Sequence, residues 1–144
     1  MSYELIPASS ISSTGLSAER MRMQVAANNI ANSQVTSPQG KNLYQRKVVV
    51  FETVLKQGAD RNSDRSFGGV NVKDVVSAER RPIEIFNPSH PHADDKGMVH
   101  KPNISPLEEM VDMMTATRAY EANLQLMKQS KKMAEKTIQL AGQG

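Results

Sequence analysis

The chain has 144 residues, 38% of them hydrophobic, with three Tyr, three Phe, no Trp and no Cys. Six aromatics, each burying about 150–250 Å², support only a small core, and a scaffold such as a TIM barrel, at about 250 residues, is excluded by length. Lack of cysteine removes disulfides, thiolate nucleophiles and cysteine zinc sites together. The net charge of +3 arises in the middle, where residues 36–105 hold 11 basic against 8 acidic groups and both ends balance. No concentrated basic face of the kind that binds nucleic acid is visible.

The first basic residue is Arg20, and Leu5–Ala18 is interrupted by Pro7 and five serines. A secretory signal peptide is therefore not expected. Residues 23–40 lack charge but are rich in Asn, Gln, Ser and Thr, so no direct membrane insertion is expected.

Proline divides the rest: none falls in 8–37 or 107–144, and five fall between 82 and 106. Because proline breaks helix interiors, the expected order is helix, irregular middle, helix. The first helix is expected from about Ala8 to Ser33. One row steps through Ile11, Thr14, Ala18, Met21 and Val25, a second through Leu16, Met23, Ala27 and Ile30, both at helical spacing. Ser9 or Ser10 is the expected N-cap. Gly15 weakens the middle by about 1 kcal/mol relative to Ala. Asn28, Asn29 and Asn32 close the helix, since Asn tolerates left-handed C-cap geometry. Three Asn in five residues are also costly within a helix. A buried Asn can offset this by pairing across helices and fixing register.

In the middle, Arg46–Leu55 alternates, with Val49, Phe51, Thr53 and Leu55 on one side. Val70–Val76 and Ile83–Phe86 are the next β-rich runs. Gln57–Ser66 reads as a mobile loop and Asn87–Lys101 as irregular. Gly68-Gly69 reads as a turn before a strand.

The second helix is the clearest element. Ser105-Pro106-Leu107-Glu108 is a capping box with Pro at the first helical position. Glu108, Glu109 and Asp112 near its start and Lys128, Lys131, Lys132 and Lys136 near its end complement the helix dipole. It should reach Leu140 and stop at Gly142. A heptad-like row runs Met110, Met113, Thr117, Tyr120, Leu124, Met127, Lys131, Ala134, Ile138 and Ala141, and another runs Ala119, Leu126, Met133 and Leu140. One partner helix needs one seam, so two rows predict at least two neighbours. Seven of the nine methionines lie on the two helices.

The fold class expected is therefore mainly α with a small β middle. Long terminal helices, 1–35 and 105–144, pack as a coiled coil into one discontinuous unit around a strand-and-loop insertion, 36–104. Residues expected to face neighbouring helices are Leu16, Met23, Val25, Asn28, Asn29, Ile30 and Asn32 on the first helix. On the second they are Met110, Met113, Tyr120, Asn123, Leu124, Met127 and Ile138.

Two strings resemble a known family. Leu16-Ser17-Ala18-Glu19-Arg20 through Val25-Ala26-Ala27-Asn28-Asn29-Ile30-Ala31-Asn32 resembles the N-terminal signature of bacterial flagellar rod and hook proteins. Thr117-Arg118-Ala119-Tyr120-Glu121-Ala122-Asn123 is similar to their C-terminal one. With Lys101-Pro102-Asn103 ahead of the capping box, the chain is identified as a member of the flagellar basal-body rod family. Met98-Val99-His100 departs from it, standing where relatives often carry a tyrosine-containing run. The resemblance implies a structural subunit without enzymatic activity, in an axial drive shaft whose terminal helices surround a central channel while the middle faces outward. It implies export through the flagellar type III apparatus without a cleaved signal peptide. The implied partners are further copies, other rod proteins, the adaptor joining the rod to the MS ring, and the export apparatus. The implied location is the periplasm-spanning rod of the basal body. No cofactor is implied.

Two other classes compete. A soluble helical adaptor would bind one partner helix at small stoichiometry. A small metallo-hydrolase is suggested by His90-Pro91-His92-Ala93-Asp94-Asp95, but its last position is Asp, the only other histidine is His100, and a proline-rich loop gives little of the rigidity a catalytic metal needs. These residues read as a solvated loop, with no metal ligand assigned. Arg80-Arg81-Pro82 reads as a solvated strand end, and the four lysines as the solvated side of the helix.

Overall fold

The structure is a computed structural model that describes residues 7–38, 42–56 and 67–142. It contains α1 (Pro7–Asn32), β1 (Lys47–Lys56), β2 (Phe67–Ser77), β3 (Ile83–Phe86), β4 (Met98–Lys101) and α2 (Pro106–Ala141). Strands β1 and β2 form one antiparallel hairpin, and β3 and β4 form a second. Two helices flanking a small antiparallel middle is the fold class expected from the sequence.

α1 begins at Pro7, so Ser9 and Ser10 lie inside it rather than capping it. Proline suits a first helical turn because its missing N–H has no intrahelical partner there. Ser13, Thr14 and Ser17 turn their hydroxyls onto the carbonyls of Ser10, Ile11 and Ser13 at 2.7, 2.7 and 3.2 Å. At the far end no left-handed Asn closes the helix; among the described non-glycine residues only Asn42 has positive φ. The last carbonyls are taken by side chains and by the N–H groups of the following turn: Asn32 Nδ2 donates to Asn28 O at 2.8 Å, Ser33 donates to Ile30 O through Oγ at 2.7 Å and N at 3.2 Å, and Val35 N donates to Asn32 O at 3.3 Å.

α2 follows its sequence signals. Ser105 caps it in extended conformation and accepts from Glu108 N at 3.5 Å, Pro106 occupies the first turn, and Gly142 closes it through N–H bonds to Ile138 O and Leu140 O. Its 36 residues span roughly 54 Å at 1.5 Å per residue.

Two readings of the middle change. Gly68 and Gly69 lie within β2, opposite Leu55 and Val54. A Cβ on Gly69 would stand 3.2 Å from Thr14 Oγ1, and that hydroxyl accepts from Val70 N at 3.2 Å. The glycine therefore lets the hairpin lie against α1. The β2 strand also carries a bulge: Val50 faces Asp74 and Phe51 faces Val72, so Lys73 is extra. Within Asn87–Lys101, Met98–Lys101 forms β4. Asp94 Oδ1 accepts from Lys96 N at 2.9 Å and Met98 N at 2.8 Å, Asp94 O accepts from Gly97 N at 2.9 Å, and Gly97 takes φ 74°. That turn returns the chain onto β3. The reading of Gln57–Ser66 falls outside the described residues.

The core is small. Among the described residues its buried apolar members are Ala18, Val25, Ala26 and Ala116 on the helices, Val99 on β4 and Ile104 in the segment between β4 and α2. The largest fully buried side chains are polar: Glu109 and Asn29, each 1% exposed. Among the described residues no helix is long and apolar enough to cross a membrane.

Candidate assembly interface

The two helices run antiparallel, because Asn29 meets Glu109, Met23 meets Thr117 and Gly15 meets Asn123. The most buried positions of α2 are Glu109, Ala116 and Ser130, with half-buried Asn123 completing a seven-residue spacing. The seam is thus centred on small and polar residues. Met113, Tyr120, Leu124 and Met127 flank it, each half-buried. Opposite lie Gly15, Ala18 and Ala26 of α1. Small residues on both sides let the backbones approach, and a Cβ added at Gly15 would sit 3.1 Å from Asn123 Nδ2.

The seam is pinned at one end by a polar cluster. Asn29 Nδ2 donates to Glu109 Oε2 and to Lys47 O, both at 2.8 Å. Its Oδ1 accepts from Lys47 N and from Tyr44 Oη, both at 2.9 Å. All four hydrogen bonds of the amide are used, and they join α1, the approach to β1 and α2. Glu109 Oε1 accepts from Arg46 Nε at 2.6 Å. The burial of Tyr44 and the nearby Glu109 carboxylate raise the Tyr44 pKa. One turn along, Arg22 pairs with Asp112 and lies 3.7 Å from Glu19; the hydrogen bond to Asp112 holds the guanidinium pKa above its ordinary value. Arg80, from the segment after β2, lies 3.6 Å from Glu108. Three carboxylates on the first two turns of α2 are therefore each met by an arginine from a different part of the chain. An open groove of about 370 Å³ beside this cluster is lined by Arg22, Val25, Val49, Phe51, Glu109 and Asp112.

The residues singled out from the sequence separate into two groups. Val25 and Asn29 are buried, and Leu16, Met23, Ile30, Asn32, Met113, Tyr120, Asn123, Leu124 and Met127 are half-buried. Met23 Sδ accepts from Thr117 Oγ1 at 3.3 Å. Asn28, Met110 and Ile138 are exposed, the last two by 50% and 67%. Leu107, Val111 and Met114 were not singled out, yet they join Met110 on one outward stripe at the start of α2 and are 57–71% exposed. Their spacing of three and four residues was the available signal. Glu109 and Arg46 were missed because a carboxylate in a first helical turn reads as a solvated dipole partner.

The histidines are occupied by protein groups. His90 Nδ1 accepts from His92 N at 3.0 Å, and His92 Nδ1 lies 2.9 Å from Thr36 Oγ1. Among the described residues no group of three His, Asp or Glu converges to hold a metal ion.

Comparison with known proteins points one way. Residues 10–39 match the family model described as flagella basal body rod protein. Residues 95–140 match the model described as flagellar basal body rod FlgEFG protein C-terminal. The chain is 38% identical over 131 residues to the flagellar basal-body rod protein FlgC of Escherichia coli O157:H7, covering 90% of this chain and 92% of the relative. It is 38% identical over 136 residues to FlgC of Aquifex aeolicus, covering 94% and 96%. It is 33% identical over 141 residues to FlgC of Bacillus subtilis, covering 90% and 93%.

Proposed function

The chain belongs to the FlgC family of flagellar basal-body rod proteins, and from that premise we propose that it is a structural subunit of the proximal rod, transmitting torque within a helical axial tube that encloses an export channel. One observation carries the reading. The two matched segments cover most of the two helices that pack together, yet α2 leaves Leu107, Met110, Val111, Met114, Leu126, Met133, Ile138 and Leu140 each at least 50% exposed. Apolar surface on this scale along one helix marks a site of protein contact.

In this proposal the helical segments 1–35 and 105–144 form the assembly unit, and the middle, 36–104, faces outward. Its neighbours are further copies, other rod proteins and the adaptor to the MS ring, reached by way of the flagellar type III export apparatus. The role is mechanical rather than catalytic. Half-buried residues such as Tyr120, Leu124 and Met127 both brace the intrachain seam and meet a neighbouring helix.

The test is Tyr120→Ala in cells lacking the native chain. The expected result is loss of swimming and absence of the variant from isolated basal bodies, with its helical circular dichroism retained. Normal motility with the variant would refute the assignment. A purified chain that forms a stable one-to-one complex with a single partner helix and nothing larger would favour an adaptor instead.

A further inference from the structure

The chain has no cysteine, so its oxidisable sulfur is all methionine. The structure sorts that sulfur into two classes. On α2, Met110, Met114 and Met133 are 50%, 58% and 63% exposed. Along the helix seam, Met23, Met113 and Met127 are half-buried, and Met23 Sδ already accepts from Thr117 Oγ1 at 3.3 Å. Met98 on β4 is also half-buried, and Met21 of α1, at 37%, lies between the classes. A thioether oxidises faster the more freely solvent reaches its sulfur. An oxidant therefore meets the outer face of α2 before it meets the seam.

The three exposed sulfurs share their surface with other apolar side chains. Met110 and Met114 are one helical turn apart and lie on the outward stripe with Leu107 and Val111. Met133 stands two turns from both Leu126 and Leu140, which are 54% and 74% exposed. Methionine is apolar and adaptable, which suits a surface that packs against a neighbour. Its sulfoxide carries a strong hydrogen-bond acceptor, and an apolar contact offers that acceptor no donor.

We propose that Met110, Met114 and Met133 form a reversible oxidation site: a hydroperoxide converts them to sulfoxides on the unassembled chain and so disables the joining surface of α2 without unfolding it. The consequence for assembly rests on the rod reading, whereas the order of oxidation rests on burial alone. In the step with hydrogen peroxide, a sulfur lone pair attacks one peroxide oxygen. The S–O bond forms as the O–O bond breaks, and the proton on the transferred oxygen passes to the departing hydroxide, which leaves as water. Sulfur is oxidised by two electrons and the peroxide is reduced by two.

The test uses the purified full chain with limiting hydrogen peroxide. Peptide mass mapping should find sulfoxide at Met110, Met114 and Met133 while Met23, Met113 and Met127 are largely unmodified, with helical circular dichroism retained. Sedimentation velocity over a range of concentrations then compares self-association before and after treatment. Association should weaken by about tenfold or more, since each sulfoxide that must be buried loses water without gaining a donor. Methionine sulfoxide reductases with a dithiol should restore it, each sulfur returning to the thioether as the dithiol becomes a disulfide and water is released. The chain carrying Met110→Leu, Met114→Leu and Met133→Leu, swaps that conserve volume, should associate like the native chain with or without peroxide, although Met21 remains open to oxidation. Oxidation of Met23 or Met113 ahead of the outer three would overturn the proposal. So would unchanged association after treatment, an equal loss in the leucine chain, or a native chain that stays monomeric before any oxidant. None of these decides the rod assignment, which is judged by incorporation into basal bodies.

Discussion

Replacing Asn29 by Asp keeps the side-chain shape and changes one group, so it tests the polar pin directly. Native Asn29 donates to Glu109 Oε2 and Lys47 O and accepts from Lys47 N and Tyr44 Oη. The introduced carboxylate keeps both acceptances and loses both donations. Ionised, it would stand about 3 Å from a second carboxylate, a repulsion of about 6 kcal/mol at an effective dielectric constant of 20. Taking up a proton at pH 7 costs about 4 kcal/mol, roughly three units above an ordinary Asp at 1.4 kcal/mol per unit. Protonation is the smaller cost and wins. Its single proton serves Glu109 or the Lys47 carbonyl but not both, and the buried acceptor left over costs about 1 kcal/mol more. The expected loss at pH 7 is therefore about 5 kcal/mol, against a typical domain stability of about 5–15 kcal/mol. The introduced carboxyl has a folded-state pKa above its unfolded value, so its contribution is intact below the unfolded pKa and is lost as pH rises. The deficit relative to the native chain should then shrink by about 1.4 kcal/mol per pH unit between pH 7 and 5. Urea unfolding of both chains at pH 5, 6 and 7 measures this, with Asn29→Ala as a control that lacks the added proton. Equal losses at pH 5 and 7, or a loss below about 1 kcal/mol, would show that the cluster does not hold the seam as described.

Gly15→Val should destabilise by about 1–3 kcal/mol in denaturant unfolding, because even a bare Cβ there would approach Asn123 Nδ2 to 3.1 Å and a branched side chain cannot be fitted by turning that amide alone. If Gly15 were only a weak point in the helix, most larger residues would stabilise it instead. For Tyr44, burial and then the Glu109 carboxylate raise the folded pKa, so its contribution is complete below about pH 10 and declines as pH rises beyond that. Tyr44→Phe should lose about 1 kcal/mol at pH 7 with the bond to Asn29 and should lose less further stability than the native chain when unfolding is followed from pH 9 to 11; parallel alkaline profiles would contradict the assignment.

What the sequence made legible were elements with local causes. α2 was visible because Ser105, Pro106 and the three-four spacing all act within a few residues of one another. The Asn-rich end of α1 was visible as an anomaly, three poor helix formers together, but its resolution was not. Asn29 is explained by Glu109, 80 residues away, and nothing near Glu109 in the sequence distinguishes it from Glu108, whose side chain is 60% exposed and meets Arg80. The strand β4 was missed for the same reason. Its four residues follow a Pro- and His-rich stretch, and it exists because Asp94 and Gly97 turn the chain back onto β3. Gly15 was legible as a cost to the helix, whereas its use, as a position where Asn123 of α2 packs against the α1 backbone, required the partner.

The distribution of polar and apolar residues then follows from how closely the helices pack. A seam of Gly15, Ala18, Ala26 and Ala116 brings two backbones near each other but removes little apolar area from water, so burial alone gives the pair weak preference for one register. Asn29, with four directed hydrogen bonds, and Arg46 and Arg22, paired with Glu109 and Asp112, supply that preference. A slip of one turn would strand the buried Glu109 without partners, at a cost of several kcal/mol. Larger side chains cannot enter so narrow a seam, and Leu107, Val111, Met114 and Met133 are left outside. The same close packing that makes the core small therefore creates the exposed apolar stripe on α2, and the polar pin fixes the direction in which that stripe points. On the proposed reading these two sets of residues fail differently. Loss of the pin removes the geometry of the subunit itself, whereas loss of the stripe leaves the folded chain intact and removes only what it can join.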